Sequence, residues 1–205
     1  MTNFILGALA AVALTVAAAG ASQAETVSVE AKAFQADHGQ NYGSLDTTLS
    51  TASIYGSVAS GEIELLQAAH NGTVLGNVSF GLSNGYLTNV LGHQVVFGYG
   101  AEVGDSFQPK TNNLFYGVAV SAGTPITLPA TLGVTKPVGL TLSYRLREGF
   151  GNSFAEQRRI GLSTSYAVTD STTVSANVYR EHAAFLNKGS ATDSTVFGAE
   201  LVHKF

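Results

Sequence analysis

Apolar and polar residues alternate along most of this chain with a period of two. The final stretch shows it most clearly. Phe205, His203, Leu201, Ala199 and Phe197 share one face, and Lys204, Val202, Glu200, Gly198 and Val196 share the other. A period of two marks a strand whose two sides meet different surroundings. The same alternation predicts strands over 138–147, where Leu140, Leu142, Tyr144 and Leu146 oppose Thr141, Ser143, Arg145 and Arg147, and over 159–168, where Ile160, Leu162 and Tyr166 oppose Arg159, Gly161 and Ser165. It recurs at 27–34, 74–82, 94–103, 114–121 and 174–181.

Two stretches read less cleanly. Leu45, Thr47 and Leu49 alternate with Asp46, Thr48 and Ser50, but the phase blurs near Ile54 and Tyr55. Glu62-Ile63-Glu64-Leu65 begins an alternation that Leu65-Leu66 and Ala68-Ala69 break, which reads as a short helical turn. Between the strands lie turn signals. Asn71-Gly72 is a type I′ hairpin dipeptide, Ser57–Gly61 and Thr169–Ser171 read as turns, and Gly123–Pro137 holds three of the four prolines and so reads as a loop or strand edge. A strict count gives ten candidate strands and the firm ones number about eight. Eight is the favoured count, because ten strands demand short connections throughout.

Composition then decides what surrounds these strands. Apolar residues make up 45% of the chain and charged residues only 12%, which is too few charges for a water-solvated surface. After the first twenty residues no stretch approaches the 18 apolar residues that a membrane-spanning helix needs. Apolar residues spread one in two, with glycine and aromatics frequent, predict an all-β, antiparallel transmembrane β-barrel. Residues 1–20 are an apolar run, and Ala21-Ser22-Gln23-Ala24 follows with the small-residue spacing of a signal-peptidase site. The expected organisation is therefore a signal peptide over 1–24, lacking Lys and Arg in its first segment, and a barrel over 25–205. The absence of cysteine excludes disulfides and thiolate metal sites. A net charge of −4 without a basic cluster argues against nucleic acid as a partner.

The terminal strand, with Phe197, Leu201, His203 and a final Phe205, resembles the C-terminal assembly signal of bacterial outer-membrane barrels. The chain from about Thr26 onward resembles the broad group of small OmpA- and OmpX-like barrels. That resemblance implies a monomer in the outer membrane, solvated by lipid and lipopolysaccharide and assembled by the barrel-assembly machinery through its last strand. It also implies that the last strand descends to the periplasm. The Thr169–Ser171 turn is then periplasmic, and the loops Glu148–Glu156 and His182–Ser194 are extracellular.

With the phases so assigned, Glu30, Lys32, Glu102, Arg145, Arg147, Arg159, Glu181, Glu200 and Lys204 all fall on the face opposite the lipid. Charges inside a barrel must be paired or hydrated. The expected pairs are Lys32 with Glu200, and Arg145 and Arg159 with Glu102 and Glu181. Arg158 and Arg180 fall on the lipid side, at strand ends where they can reach headgroups. The charged set reads first as a structural network and alternatively as the lining of a narrow channel. No H-E-x-x-H, phosphate-binding loop or EF-hand is present, and no catalytic, cofactor or metal residues are assigned. The favoured role is structural or surface-interacting, the alternative a narrow porin-like channel for small solutes, and a lipid-acting enzyme comes last.

Overall fold

The structure is a computed structural model. It describes residues 26–36, 41–54, 57–68, 74–107, 114–129, 131, 134–150, 156–185 and 190–205. The signal-peptide assignment and the Asn71-Gly72 turn lie outside the described residues. Ten strands follow in chain order: β1 (Thr26–Ala36), β2 (Asn41–Ile54), β3 (Ser57–Ala68), β4 (Val74–Val90), β5 (His93–Phe107), β6 (Leu114–Ile126), β7 (Val138–Gly149), β8 (Glu156–Ala167), β9 (Thr172–Phe185) and β10 (Ser190–Lys204). Each pairs antiparallel with its neighbours in sequence, and β1 pairs with β10 from Thr26↔Lys204 to Ala36↔Ser194, closing the sheet. Closure leaves no sheet edge, so backbone N–H and C=O groups are satisfied within the wall without help from water.

The count of ten corrects the expectation of eight. The strands discounted in the sequence were β2 and β3. Residues Ser57–Gly61 are strand rather than turn, and β3 runs straight through Glu62–Leu66 with no helical turn. The physical reason is that both are paired on two sides, β2 with β1 and β3, and β3 with β2 and β4. Two hydrogen-bonded ladders hold a strand that its own alternation specifies poorly. The blurred phase near Ile54 coincides with an irregularity, since the β2–β3 register shifts between Ser50 and Ser53.

Part of the proline-rich segment is also strand. Pro125 lies in β6 opposite Gly139 of β7, two residues beyond Gly123, where pairing with β5 stops. Its missing N–H therefore costs no ladder bond on the β5 side. The β4–β5 hairpin turns at Leu91 and Gly92, with φ of 51° and 84°. Two successive positive φ values are the type I′ geometry that Asn-Gly or Asp-Gly normally supplies. A leucine in the first place hides the turn from a sequence reading.

The alternation places bulky apolar side chains outside. Phe80, Leu82, Tyr99, Val103, Val120, Leu142, Ile160 and Phe197 all point outward and are exposed. Tyr86 stacks on Phe97 near the Leu91 turn, and His203 meets the ring of Phe205 edge-on at 4.8 Å. The buried polar residues include Lys32, Asp46, Glu64, Arg147, Arg159 and Glu181. An apolar exterior around a charged interior is the partition of a transmembrane barrel. Ten strands also enclose a wider lumen than the eight that side chains just fill.

Candidate functional site: the ionic belt inside the barrel

The register decides which charges meet. Glu200, Glu30, Asp46 and Glu64 stand directly opposite one another in sequence across β10, β1, β2 and β3. Like charges in directly opposed positions destabilise a sheet unless they are compensated. Lys32, two residues above Glu30 on β1, supplies that compensation on this wall. Its Nζ contacts the Asp46 carboxylate and lies 3.3 Å from Glu30 and 3.9 Å from Glu64, with only 2% of the residue exposed. Tyr179 Oη and Asn177 Nδ2 donate to Glu30 at 2.9 and 2.8 Å, and Ser28 Oγ donates to Glu200.

The arginines lie on the other wall. Arg145 of β7 is directly opposite Arg159 of β8, and Arg147 follows two residues on. Arg145 reaches Glu62 of β3 at 2.6 Å and donates through Nε to Glu102 of β5 at 2.6 Å. Arg147 donates to Glu102 at 3.0 Å through both Nε and Nη2, and it lies 3.4 Å from Glu62 and from Glu64. Its guanidinium also stacks 4.8 Å over the Phe115 ring. Arg159 donates to Glu181 at 2.7 Å, lies 3.8 Å from Glu64 and sits 5.3 Å from the centre of the Tyr179 ring. Strands β3 and β7 are not neighbours in the wall. The Glu62, Glu64, Arg145 and Arg147 side chains therefore span the lumen, and the belt fills it.

Two glycines make room for this packing. Gly117 of β6 is directly opposite both Glu102 and Arg147, and a Cβ there would come within 2.6 Å of a Glu102 oxygen and 3.1 Å of Arg147 Cγ. Gly161 of β8 is opposite Tyr179, and a Cβ there would lie 2.7 Å from the ring's Cε1. The first gap lets Glu102 and Arg147 touch across an intervening strand. The second lets the Tyr179 ring lie flat on the wall.

Below the belt, toward the Leu91 turn, the lumen holds a cavity of about 490 Å³. Its walls are small and polar, with Ser60, Ser83, Ser121 and Ser143 beside Gly81, Gly98 and Gly100, and its ceiling is Glu30, Glu62, Glu102 and Arg145. Ser83 lines the cavity and is exposed, so water reaches it from this end.

Of the residues assigned from sequence, the structure brings Glu30, Lys32, Glu102, Arg145, Arg147, Arg159 and Glu181 into one belt. Glu200 borders it, held by Ser28 rather than by Lys32, whose ammonium instead faces Asp46, Glu30 and Glu64. Lys204 stands apart at the lower rim, exposed, with its backbone N–H donating to Ser171 at 2.8 Å. Phe197, Leu201 and Phe205 point outward from β10, and His203 contacts Thr172 Oγ1 at 3.0 Å. Outside the barrel, Arg158 contacts Glu156 and Arg180 donates to Thr195 at 3.1 Å.

Sequence reasoning missed Asp46, Glu62 and Glu64. All three alternate with apolar neighbours, and that alternation was the available signal. It was discounted with the strands that carry them. Carboxylate oxygens of these three lie within 4.8 Å of one another, a spacing that could hold a metal ion. The Lys32 ammonium already contacts two of them. Among the described residues the lumen thus carries seven carboxylates (Glu30, Asp46, Glu62, Glu64, Glu102, Glu181 and Glu200) and four cations (Lys32, Arg145, Arg147 and Arg159).

No family model and no curated protein sequence matches the chain. Solved structures do match. The β-domain of the Bordetella autotransporter Brka aligns over 88% of this chain and 98% of its own, at 9% identity and a TM-score of 0.49. An outer membrane channel of Pseudomonas putida F1 aligns over 89% and 96%, at 10% identity and a TM-score of 0.45. The translocator domain of the autotransporter NalP from Neisseria meningitidis aligns over 98% and 97%, at 11% identity and a TM-score of 0.33.

Proposed function

We propose that this chain is a narrow channel of the bacterial outer membrane, with the ionic belt as its constriction and small cations as the preferred solutes. The observation that carries the reading is the water-accessible cavity, which ends on a barrier made only of side chains. Ion pairs between flexible side chains can part and re-form without any change in the wall. Acids concentrated on one wall and arginines on the other set a field across the path, and the surplus of carboxylates favours cations.

The apolar exterior around a charged interior supports placement in the outer membrane. Lipid and lipopolysaccharide then solvate the outside, and the barrel-assembly machinery reads the last strand. Of the OmpA- and OmpX-like resemblance, the proposal keeps the small monomeric barrel and drops the eight strands. It assigns the chain no enzymatic role. A second reading is a closed structural barrel whose outer connections contact partners. It is favoured by the burial of Lys32 and Arg147, each 2% exposed.

Single-channel recording in planar bilayers separates the two. The channel reading expects steady conductance, with a reversal potential that shifts toward cations when Arg145 and Arg147 are both replaced by serine. A silent bilayer from protein that shows heat-modifiable migration on a gel, and is therefore folded, overturns it in favour of the closed barrel.

A further inference from the structure

We infer that Lys32 is the residue that sets ion selectivity in this lumen. Its ammonium is the tethered counter-ion of the carboxylate wall, and it holds the position that a free cation would otherwise take. The inference rests on the channel reading for its meaning in transport, but its physical core does not.

The register makes the case. Four carboxylates stand in one directly opposed row, Glu200, Glu30, Asp46 and Glu64, across four adjacent strands. Among the described residues no other cation projects from β10, β1, β2 or β3 into the belt. Of this row Arg147 and Arg159 reach only Glu64, at 3.4 and 3.8 Å, and Arg147 also lies 3.4 Å from Glu62 on the same strand. They are already engaged by Glu102 and Glu181 at 3.0 and 2.7 Å. Among the described residues Lys32 alone contacts carboxylates of three strands, Glu30 of β1, Asp46 of β2 and Glu64 of β3. Asp46 is 4% exposed, and among the described residues its carboxylate has no partner besides the Lys32 ammonium, so the ammonium is its compensation.

A lysine is suited to this work. It is a compact charge on a flexible stem, without the fixed fork by which an arginine locks two carboxylates. The ammonium can follow one carboxylate or another while a cation passes. Without it, Glu200, Glu30 and Asp46 have no cation among the described residues while Glu64 keeps Arg147 and Arg159, and electrostatics must draw one from solution.

The test replaces Lys32 by methionine, which keeps the stem and removes the charge, and Asp46 by asparagine, which frees the lysine from its nearest acid. In bilayers, K32M is expected to raise the cation-to-anion permeability ratio by about tenfold or more, since a unit charge near 4 Å is worth well over that at an effective dielectric constant of about 20. D46N moves the ratio the other way, and K32R stays near wild type. In parallel, calcium chloride is titrated against the thermal unfolding of each refolded protein. Millimolar calcium is expected to raise the melting temperature of K32M and leave wild type and D46N unmoved.

Conductance with permeability ratios unchanged in both K32M and D46N overturns the inference and leaves the channel standing. If wild type is silent, the channel reading fails, and the calcium shift alone decides whether Lys32 holds a cation position. A K32M protein that neither melts higher with calcium nor needs it to fold overturns the inference in that case. One that refolds only when calcium is present supports it. If K32M refolds under neither condition and D46N shows no change in ratio, the lysine is structural only and the inference falls.

Discussion

Replacing Arg147 by methionine tests whether the belt stabilises the barrel or merely occupies it. Arg147 is 2% exposed and faces three carboxylates, Glu102 at 3.0 Å and Glu62 and Glu64 at 3.4 Å. Methionine keeps the stem but loses the charge, and with it the guanidinium that stacks 4.8 Å over Phe115. Removing one partner of a buried pair typically costs about 3–5 kcal/mol, because the remaining charge stays buried without compensation. The structure argues for the lower end. Glu62 and Glu102 keep Arg145 at 2.6 Å, and Glu64 keeps Arg159 and Lys32 only at 3.8 and 3.9 Å. Glu64 is therefore the group left exposed to the loss, and we expect a destabilisation of about 3 kcal/mol.

The assay is urea unfolding of protein refolded into phosphatidylcholine bilayers, followed by circular dichroism. Two further variants fix the interpretation. R158M removes an arginine from the exterior, where its side chain is 58% exposed, and should change stability by no more than about 1 kcal/mol. The double variant R147M/E64Q removes one buried charge of each sign and should recover most of the loss, because the two sites share one network. An R147M loss no larger than that of R158M would falsify the reasoning. So would a double variant as unstable as R147M, since the orphaned Glu64 would not then be the cause.

Other predictions follow from single contacts. Gly161→Ala should destabilise the barrel by about 1–3 kcal/mol in the same assay, because the Tyr179 ring that covers Gly161 is held by Glu30 at 2.9 Å and by Arg159 and cannot easily yield. An alanine variant as stable as wild type would mean that the ring is free to move. Leu91→Asn should raise the urea midpoint, with a gain of about 0.5–1 kcal/mol, because asparagine tolerates the positive φ of 51° better than leucine does. Replacing the exposed Phe80 of the outer wall by arginine should cost about 2–4 kcal/mol, given a position near the bilayer midplane, whereas arginine at Ser83, which lines the cavity, should cost far less. Equal losses at the two positions would contradict the assignment of inside and outside.

The alternation carried the antiparallel β-barrel, though not its ten strands, and most of the belt. Arg145 and Arg147 sit on a strand whose apolar face is unbroken and Arg159 on one interrupted only by Thr164 and, at its start, Arg158, so their side of the wall could be read directly. Period two fixes which face a residue takes once its strand is recognised. It failed where a strand is held by its neighbours more than by its own pattern. Glu62 and Glu64 belong to β3, whose Leu65-Leu66 pair breaks the alternation, and Asp46 belongs to β2, with its irregularity near Ser50. The Leu91 turn was invisible for a related reason, since leucine is not a residue that such a turn selects.

What the sequence determined by itself is local: where the strongly alternating strands lie, which side of them faces lipid, and that the opposite side carries charge. Only the tertiary structure decided how many strands close the barrel and which charges meet across it. Pairing partners come from β1 against β10, 158 to 178 residues apart, and from β3 facing β7 across the lumen. The periodicity of a strand contains its two faces, but not its register with another strand. That register is what aligned Glu200, Glu30, Asp46 and Glu64 in one row and placed the Lys32 ammonium among them.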